Sequence, residues 1–336
     1  MRRGPLVALL GIGVLAGAAA TAVALFLPWL PPVASKERGR IDLVFWFVVS
    51  ICILIFAIVV AVMLYSIVRF RAAPDDDSDG PPIHGHTGLE IVWTLIPTVL
   101  VTAIGIFSAI VLARDDALGK NVLDVNVTAQ QFAWSFQYPN DGKVTTGTLR
   151  LPVGRSVQLH MQSKDVIHSF WVPEFGQKQD VVPGIVTTLH ITPDKVGTFP
   201  VICTELCGLG HSVMRTEAIV MSRSAFDAWL KSQTKATGSS NASVSGAAVF
   251  KNNPCGSCHT LKAAGTTGKV GPDLDKLQQY AKAAGKPLAA FISQSVTDPN
   301  AYVQPGYPKN VMPPFNLPKQ QLDALVQYLA QSSSKG

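Results

Sequence analysis

Charged residues are scarce in this sequence. They make up 15% of the 336 residues, against 48% hydrophobic ones, and the mean hydropathy of +0.27 is high for a soluble protein. The composition therefore argues against a wholly soluble chain, and nucleic acid is not an expected partner. No internal repeat is present, which excludes a repeat array. A chain of this length without repeats predicts two or three domains, each with its own core.

Three long apolar segments lie in the first third of the chain, at residues 4–30, about 41–68 and about 89–112. The second and third each reach the roughly 20 apolar residues that a helix needs to cross a bilayer. They predict a transmembrane hairpin within residues 36–118. Cys52 lies in the second segment and is expected to be a small buried apolar residue.

The first apolar segment has two interpretations. Arg2 and Arg3 precede it and it contains the small-residue run "AGAAAT", as in a signal peptide. Its apolar stretch is longer than the usual signal core of ~7–15 residues, as in a membrane span. Residues 1–35 are therefore predicted to be either a signal peptide or an extra transmembrane helix.

Short segments of alternating apolar and polar residues occupy residues 119–231. Turn signals such as Pro183-Gly184 separate these segments. The pattern predicts a small β-sandwich or barrel. The clearest strand candidates are "LDVNVTA" (123–129), "SVQLHM" (156–161), "VTTLHIT" (186–192) and "TEAIVM" (216–221).

The last part of the chain begins with a segment rich in Ser, Gly, Ala and Thr at residues 232–246, which predicts a flexible linker. Residues 247–336 then show helical spacing and predict a small α-domain. This domain has nine lysines and no arginine, against four aspartates and no glutamate, hence a charge of +5. The excess indicates either a solvated face or an electrostatic dock for an acidic partner.

The α-domain carries the motif Cys255-x2-Cys258-His259. Two thiols at this spacing can each form a thioether to a haem vinyl group, with the adjacent imidazole under the iron. A redox CxxC pair and half a zinc site are the alternatives, but the domain has no other Cys or His to complete a zinc site. Met312, its only methionine, is the predicted sixth ligand. Pro272 lies where class I cytochromes c often keep a proline whose neighbourhood orients the proximal imidazole.

A second motif, Cys203-x3-Cys207-x3-His211-x2-Met214, lies in the β-region. A disulfide would leave His211 and Met214 unexplained, and a thioether is a poor zinc ligand but a soft one suited to copper. One blue copper uses a single thiolate, so two thiolates are one too many for it. Two thiolates that bridge two coppers resolve the excess.

Each copper of such a pair needs an imidazole, and one must come from outside the motif. His168 in "DVIHSFW" is the best second imidazole, because it precedes a strand-like segment in the same domain. His160 and His190 lie within alternating strand patterns and are expected to be surface or core residues.

The segments "VIHSFWVPEFGQKQDVVPG" and "CTELCGLGHSVM" resemble subunit II of the haem–copper cytochrome c oxidases. The membrane hairpin fits this resemblance, which runs from about Ile41 onward, and the appended haem domain makes it caa-type. The resemblance implies a multi-domain membrane protein. Its parts are a two-helix hairpin with a signal or third helix before it, a cupredoxin-like Greek-key β-barrel, and an all-α class I cytochrome c domain.

The resemblance also implies a ligand set. Cys203 and Cys207 would bridge a dinuclear CuA centre, with His168 and His211 on one copper each. Met214 would be a weak ligand. Glu205 would ligate through its main-chain carbonyl, and its side chain would reach toward a magnesium ion at the subunit I interface.

Three further residues take roles from the resemblance. Glu90 matches a glutamate at the mouth of a proton pathway, or it is a carboxylate favoured by the start of a helix. In "AQQFAWSFQY", Phe132 and Ala133 stand where the family usually has the tryptophan that receives the electron and a tyrosine, whereas Trp134 is kept. The departure puts the usual donor route in doubt, and a tethered donor would explain it.

The expected function is electron input to a proton-pumping terminal oxidase, through haem c and CuA to subunit I, where oxygen is reduced. Expected partners are subunit I, subunit III, a donor such as a cytochrome bc complex or another cytochrome c, and membrane lipids. The expected location is the plasma membrane of a prokaryote, multi-pass, with both metal domains on the extracytoplasmic side. The alternatives are the electron-input subunit of a CuA-containing nitric oxide reductase and a membrane-anchored copper-delivery or redox-sensing protein.

Overall fold

The computed structural model describes residues 3–71, 75, 80, 82, 84–141, 144–238, 245–253, 255–312, 314–315 and 317–333. The chain divides into two compact units. One unit comprises Met1–Pro32 with Gly39–Asp115, and the other comprises Val33–Arg38 with Asp116–Gly336.

The first unit is built on helices α1 (Arg3–Phe26), α2 (Lys36–Arg69) and α3 (Thr87–Asp115). All three are long and apolar enough to cross a membrane. The last two start earlier and end later than the predicted spans at 41–68 and 89–112, because polar residues at their ends continue the helical backbone. The first segment forms a helix, and its assignment as a signal peptide or an extra transmembrane helix stays a prediction.

Helices α1 and α2 pack through small residues. A Cβ built on Gly13 would lie 3.6 Å from the Cβ of Ala61, and one on Gly17 would lie 3.5 Å from the Cβ of Ala57. Small residues at such a spacing let two membrane helices approach closely. The expectation for Cys52 was wrong: it is exposed on α2. Few residues of either helix are buried.

The second unit begins with a β-domain. Its strands are β1 (Leu123–Gln130), β2 (Ala133–Tyr138), β3 (Val144–Thr146), β4 (Leu149–Pro152), β5 (Val157–Ser163), β6 (His168–Trp171), β7 (Lys178–Val181), β8 (Thr187–Ile191), β9 (Gly197–Cys203) and β10 (Arg215–Met221). One sheet has the order β3-β2-β1-β5-β8, and the other has the order β4-β10-β9-β6-β7. The domain has the predicted cupredoxin-like fold, with two sheets that form an open barrel.

Alternation along the strands builds the core of this domain. In β1, Leu123, Val125, Val127 and Ala129 are buried, and the residues between them are half-buried. Both sheets contribute to one hydrophobic cluster, in which Trp134 and other aromatic residues of β2 and β6 pack edge to face. The four strand candidates named from the sequence coincide with β1, β5, β8 and β10.

Residues 33–38, which include the start of α2, form hydrogen bonds with the β-domain of the second unit. The Ser35 hydroxyl donates to the carbonyl of Phe175 at 2.9 Å and accepts the backbone N–H of Arg38 at 3.0 Å. The Glu37 carboxylate accepts the backbone N–H of Thr192 at 2.8 Å. Ser35 therefore caps the helix and ties the segment to the β-domain at once.

Helix α4 (Arg223–Gly238) follows β10. The first seven residues of the predicted linker, 232–238, are thus helical, and residues 239–244 lie outside the described part of the chain.

The last domain contains α5 (Gly246–Asn252), α6 (Cys255–Cys258), α7 (Leu277–Ala283), α8 (Leu288–Thr297) and α9 (Lys319–Ser333). A two-residue ladder of β11 (Thr260–Leu261) with β12 (Thr266–Thr267) is an addition to the predicted all-α fold.

Candidate metal centres

The copper candidates converge where β6 and β9 pair. His168 is the first residue of β6 and Cys203 is the last of β9, and Phe170 is the register partner of Cys203. The chain then forms a loop that carries Cys207, makes a short turn at His211–Val213, and returns as β10. The two sequence segments are therefore brought together by strand pairing.

Each of the two thiols lies beside its own imidazole. The Nδ1 of His168 is 3.8 Å from the Sγ of Cys203, and the Nδ1 of His211 is 3.6 Å from the Sγ of Cys207. The two sulfurs are 3.9 Å apart and are not joined as a disulfide. The Sδ of Met214 lies 3.8 Å from the Sγ of Cys207. The atoms form two sulfur–imidazole pairs that share one pocket.

The Glu205 carbonyl oxygen lies 3.4 Å from the Sγ of Cys203, and the Glu205 side chain is exposed. The carbonyl oxygen therefore lies beside the thiols, and its role as a main-chain ligand, which the resemblance implies, stays a prediction. Two thiols, two imidazoles, a thioether and a carbonyl form a soft donor set that fits a pair of copper ions. His168, Cys203 and Cys207 also have their ligand atoms within 4.8 Å of one another.

Two residues that were not predicted from the sequence, Asp165 and Gln131, form hydrogen bonds with the candidate ligands. Asp165 Oδ1 lies 2.8 Å from the Nε2 of His168, and Asp165 Oδ2 accepts the backbone N–H of Gln131 at 2.6 Å. The Gln131 side-chain amide donates to the carbonyl of Cys207 at 2.6 Å. Asp165 fixes the orientation of the imidazole, as carboxylates commonly do for metal-binding histidines. The position of Asp165, three residues before His168, is the sequence feature that could have indicated this role.

The electrostatics of the two thiols differ. Burial disfavours the Cys203 thiolate, but hydrogen bonds with His168 and with the Ser169 and Glu205 backbone outweigh it and lower the pKa of Cys203 to about 7. Burial and the neighbouring charge of Cys203 raise the pKa of Cys207 to about 12. One thiol thus ionises readily without a metal, and a cation would be needed to ionise both.

His168 and Asp165 show opposite pKa shifts. Burial works against the charged form of His168, yet hydrogen bonds with Cys203 and Asp165 raise the pKa of His168 above its ordinary value. Burial likewise works against the Asp165 carboxylate, and hydrogen bonds from Gln131 and His168 lower the pKa of Asp165. The Asp165 carboxylate therefore stays ionised beside the imidazole.

Two aromatic residues of interest flank the site. Trp134 is 2% exposed, and the centroid of its indole lies 6.2 Å from that of the His168 ring. Phe132 is also buried and lies against the loop between Cys207 and His211.

The haem candidates share one cavity in the last domain, which Cys255, Cys258, His259 and Met312 line. The Nδ1 of His259 donates to the carbonyl of Pro272 at 2.8 Å, which leaves Nε2 as the free nitrogen. Burial lowers the pKa of His259 and favours the neutral form that binds iron. Two thiols, a neutral imidazole and a thioether around one cavity fit a covalent haem.

A close approach of backbone to imidazole supports this orientation. A Cβ built on Gly271 would lie 2.3 Å from the Cε1 of His259, so only glycine fits beside the ring.

Three other residues singled out in the sequence, Glu90, His160 and His190, each make a hydrogen bond. The carboxylate of Glu90 accepts the backbone N–H of His86 at 3.2 Å, which is the helix-start contact of the alternative interpretation. His160 pairs with Asp124 at 3.1 Å, and His190 bonds the Asp116 carbonyl at 2.9 Å. Neither histidine joins the copper cluster, as expected.

Comparisons with protein families match three parts of the chain. Residues 21–111 match the cytochrome c oxidase subunit II transmembrane domain, and residues 145–222 match the periplasmic domain of the same subunit. Residues 243–333 match cytochrome c.

Individual relatives agree with these matches. Cytochrome c oxidase subunit 2 of Alkalihalophilus pseudofirmus is 31% identical over 290 residues, which covers 82% of this chain and 82% of the relative. The protein of the same name from a Synechocystis species is 34% identical, over 62% of this chain and 76% of the relative. A crystal structure of the periplasmic domain of subunit II from Bradyrhizobium japonicum covers 36% of this chain and 99% of its own, at 28% identity and a TM-score of 0.34.

Proposed function

The chain belongs to the cytochrome c oxidase subunit II family, and on that premise we propose that it passes electrons from an external donor through haem c to a CuA centre and on to subunit I. The chain is a component of a haem–copper oxidoreductase, and its extramembrane domains lie on the extracytoplasmic side of the plasma membrane. Subunit I is its partner; subunit III and a cytochrome bc complex or another cytochrome c as donor are part of the proposal.

The observation that carries this proposal is the pairing of two thiols with two imidazoles, at 3.8 and 3.6 Å. Cys203 and Cys207 would bridge the two coppers, His168 and His211 would each hold one, and Met214 and the Glu205 carbonyl would complete the set. Cys255 and Cys258 would attach the haem, and His259 and Met312 would hold its iron. When bound, the haem and the copper pair would each supply a one-electron carrier.

The protein residues supply positioning and burial. Asp165 holds the His168 ring, and the Pro272 carbonyl holds the His259 ring, so neither imidazole must reorganise when charge changes. The buried aromatic surroundings of Trp134 and Phe132 exclude water from the copper side, and we assign both residues to electron transfer.

Two finer assignments belong to the same proposal. The exposed side chain of Glu205 is free to reach a magnesium ion shared with subunit I. Glu90 at the start of α3 would face a proton pathway of that subunit. Proton translocation and oxygen reduction would both occur in subunit I.

An electron paramagnetic resonance spectrum of the purified complex tests the proposal. Delocalised two-copper hyperfine structure is expected, and it should vanish in His211→Ala but persist in His160→Ala, since His160 lies outside the cluster. A mononuclear pattern, or a signal that survives His211→Ala, would contradict the ligand set. Consumption of oxygen rather than nitric oxide by the complex separates the oxidase from the nitric oxide reductase alternative, which the relatives do not favour.

A further inference from the structure

A groove lies between helices α1 and α2, next to the contact that Gly13 and Gly17 make with α2. Beyond this contact, toward the end of α1, the groove has a volume of about 510 Å³. The groove exists because alanines on α1 leave space that the larger side chains of α2 do not fill. The small wall and the aromatic wall are formed by Ala19, Ala20, Ala24, Phe45, Trp46 and Phe56.

The groove lies within the membrane-spanning part of both helices. Its residues occupy the last third of α1 and the middle of α2, and each helix is long and apolar enough to cross a membrane. The end of α1 and the start of α2 are joined through residues 33–38, which belong to the same unit as the β-domain. The groove residues of α1 are therefore in the half of the bilayer on the extracytoplasmic side, where hydrocarbon and not water surrounds the helices.

The residues that line the groove offer almost no polar group to a ligand. Only Trp29 and Cys52 among them carry a polar side-chain atom. The Trp29 indole N–H already donates to the Ala24 carbonyl at 2.9 Å, and a thiol is a weak donor. A ligand with hydrogen-bonding oxygens, such as a quinone ring, would lose its partners in this groove. A hydrocarbon chain has no such partners to lose.

The size of the groove distinguishes a hydrocarbon chain from a helix. From Phe45 to Phe56 the α2 wall is about 16 Å long, at a rise of about 1.5 Å per residue. The volume therefore corresponds to a mean cross-section of roughly 30 Å². An α-helix with its side chains is about 10 Å in diameter and needs roughly 80 Å². A membrane helix of another subunit is thus too wide for the groove, and an extended hydrocarbon chain is not.

We propose that the groove between α1 and α2 binds one acyl chain of a phospholipid from the extracytoplasmic leaflet. A gap beside apolar side chains forfeits their dispersion contacts, so the two helices pack fully only when the chain lies between them. The lipid is then a structural component of the membrane unit. This inference is independent of the proposed function, and it requires that α1 stays joined to the chain because α1 forms one wall.

Native mass spectrometry of the purified complex, after exchange into detergent without phospholipid, counts the phospholipids that stay bound. Ala20→Phe places a ring in the groove and should remove one retained phospholipid per complex. Ala18→Phe is the matched control, since Ala18 is exposed on the same helix and does not line the groove. Equal retention in the two variants would overturn the proposal, and so would an intact mass that shows α1 to have been removed.

Photo-labelling gives a second measurement that does not depend on the Ala20 variant. The complex is reconstituted into phosphatidylglycerol vesicles in which some lipids carry a diazirine in the acyl chain. Label should concentrate on residues 45–56 of α2, and Ala19→Phe should reduce it there several-fold, whereas Ala18→Phe should not. Label spread evenly over the membrane helices and unaffected by Ala19→Phe would mean unspecific lipid contact only and would contradict the proposal. Absence of label from residues 45–56 would mean that another subunit covers the groove, which would also contradict it.

Discussion

At the residue scale, the site depends on groups that never touch the metal. Asp165 contacts the Nε2 of His168 at the start of β6 and the backbone N–H of Gln131 in the turn between β1 and β2, and thus links these two segments. Removal of such a partner leaves the imidazole free to rotate. Loss of a carboxylate that holds a metal-binding imidazole typically weakens metal binding by about 10–100-fold.

The substitution Asp165→Asn should therefore weaken copper retention by about 10–100-fold, as measured by titration of the purified chain with a copper chelator. Asp124→Asn is the matched control, because Asp124 pairs with His160 at 3.1 Å in the same domain but away from the cluster. Equal copper retention in the two variants would show that Asp165 does not position the ligand.

The axial assignment of Met312 has its own test. Met312→Ala should lower the haem potential, since a thioether ligand stabilises the reduced iron, and it should leave the copper spectrum unchanged. A potentiometric titration of the haem band measures the change. An unaltered potential would exclude Met312 as the sixth ligand, and the side chain would then only line the cavity.

At the element scale, the Ser35 hydroxyl at the start of α2 makes two hydrogen bonds with different roles. Ser35 is fully buried, caps the helix through the Arg38 N–H and donates to the Phe175 carbonyl. Its loss removes a cap and leaves a buried carbonyl without that donor. The combined cost is about 2 kcal/mol.

Ser35→Ala should accordingly lower the thermal unfolding midpoint of the purified chain by several degrees, as followed by near-ultraviolet circular dichroism. Ser50→Ala is the control: Ser50 donates to the Trp46 carbonyl within α2, which already has its helical partner, so little change is expected. A midpoint as high as that of the unsubstituted chain would show that the contact contributes no net stability.

Strands with strict alternation and the spacing of the cysteine and histidine motifs were predictable from the sequence, whereas the short strands and the supporting contacts were not. The alternating residues of β1 and the cysteine spacings are local patterns, each readable within about ten residues. Strand β7 has no such pattern. The partners Gln131 and Cys207 are 76 positions apart, and only the packing of the two sheets against each other brings the turn between β1 and β2 beside the copper loop.

At the scale of the whole molecule, one chain carries both the haem-attachment motif and the cluster of two thiols and two imidazoles. The last domain carries a net charge of +5, and Val311 of that domain packs against the hydrophobic cluster of the β-domain. The positive charge is typical either of a solvated face or of an electrostatic dock for an acidic partner, and both interpretations stay predictions. The contact of Val311 with the β-domain is apolar.

We expect the covalent linker between the β-domain and the last domain to affect haem-to-copper electron transfer as much as the apolar contact between these domains does. Short flexible linkers hold two modules at an effective concentration in the millimolar range, so haem-to-copper transfer should be independent of protein concentration. A protease site inserted between residues 239 and 244 allows the connection to be cut after assembly, with the uncut protein as control. At micromolar concentration, flash-induced transfer should slow after cleavage and recover on addition of excess haem domain. Transfer that keeps its rate on dilution of the cut protein would show that apolar docking alone holds the domains together.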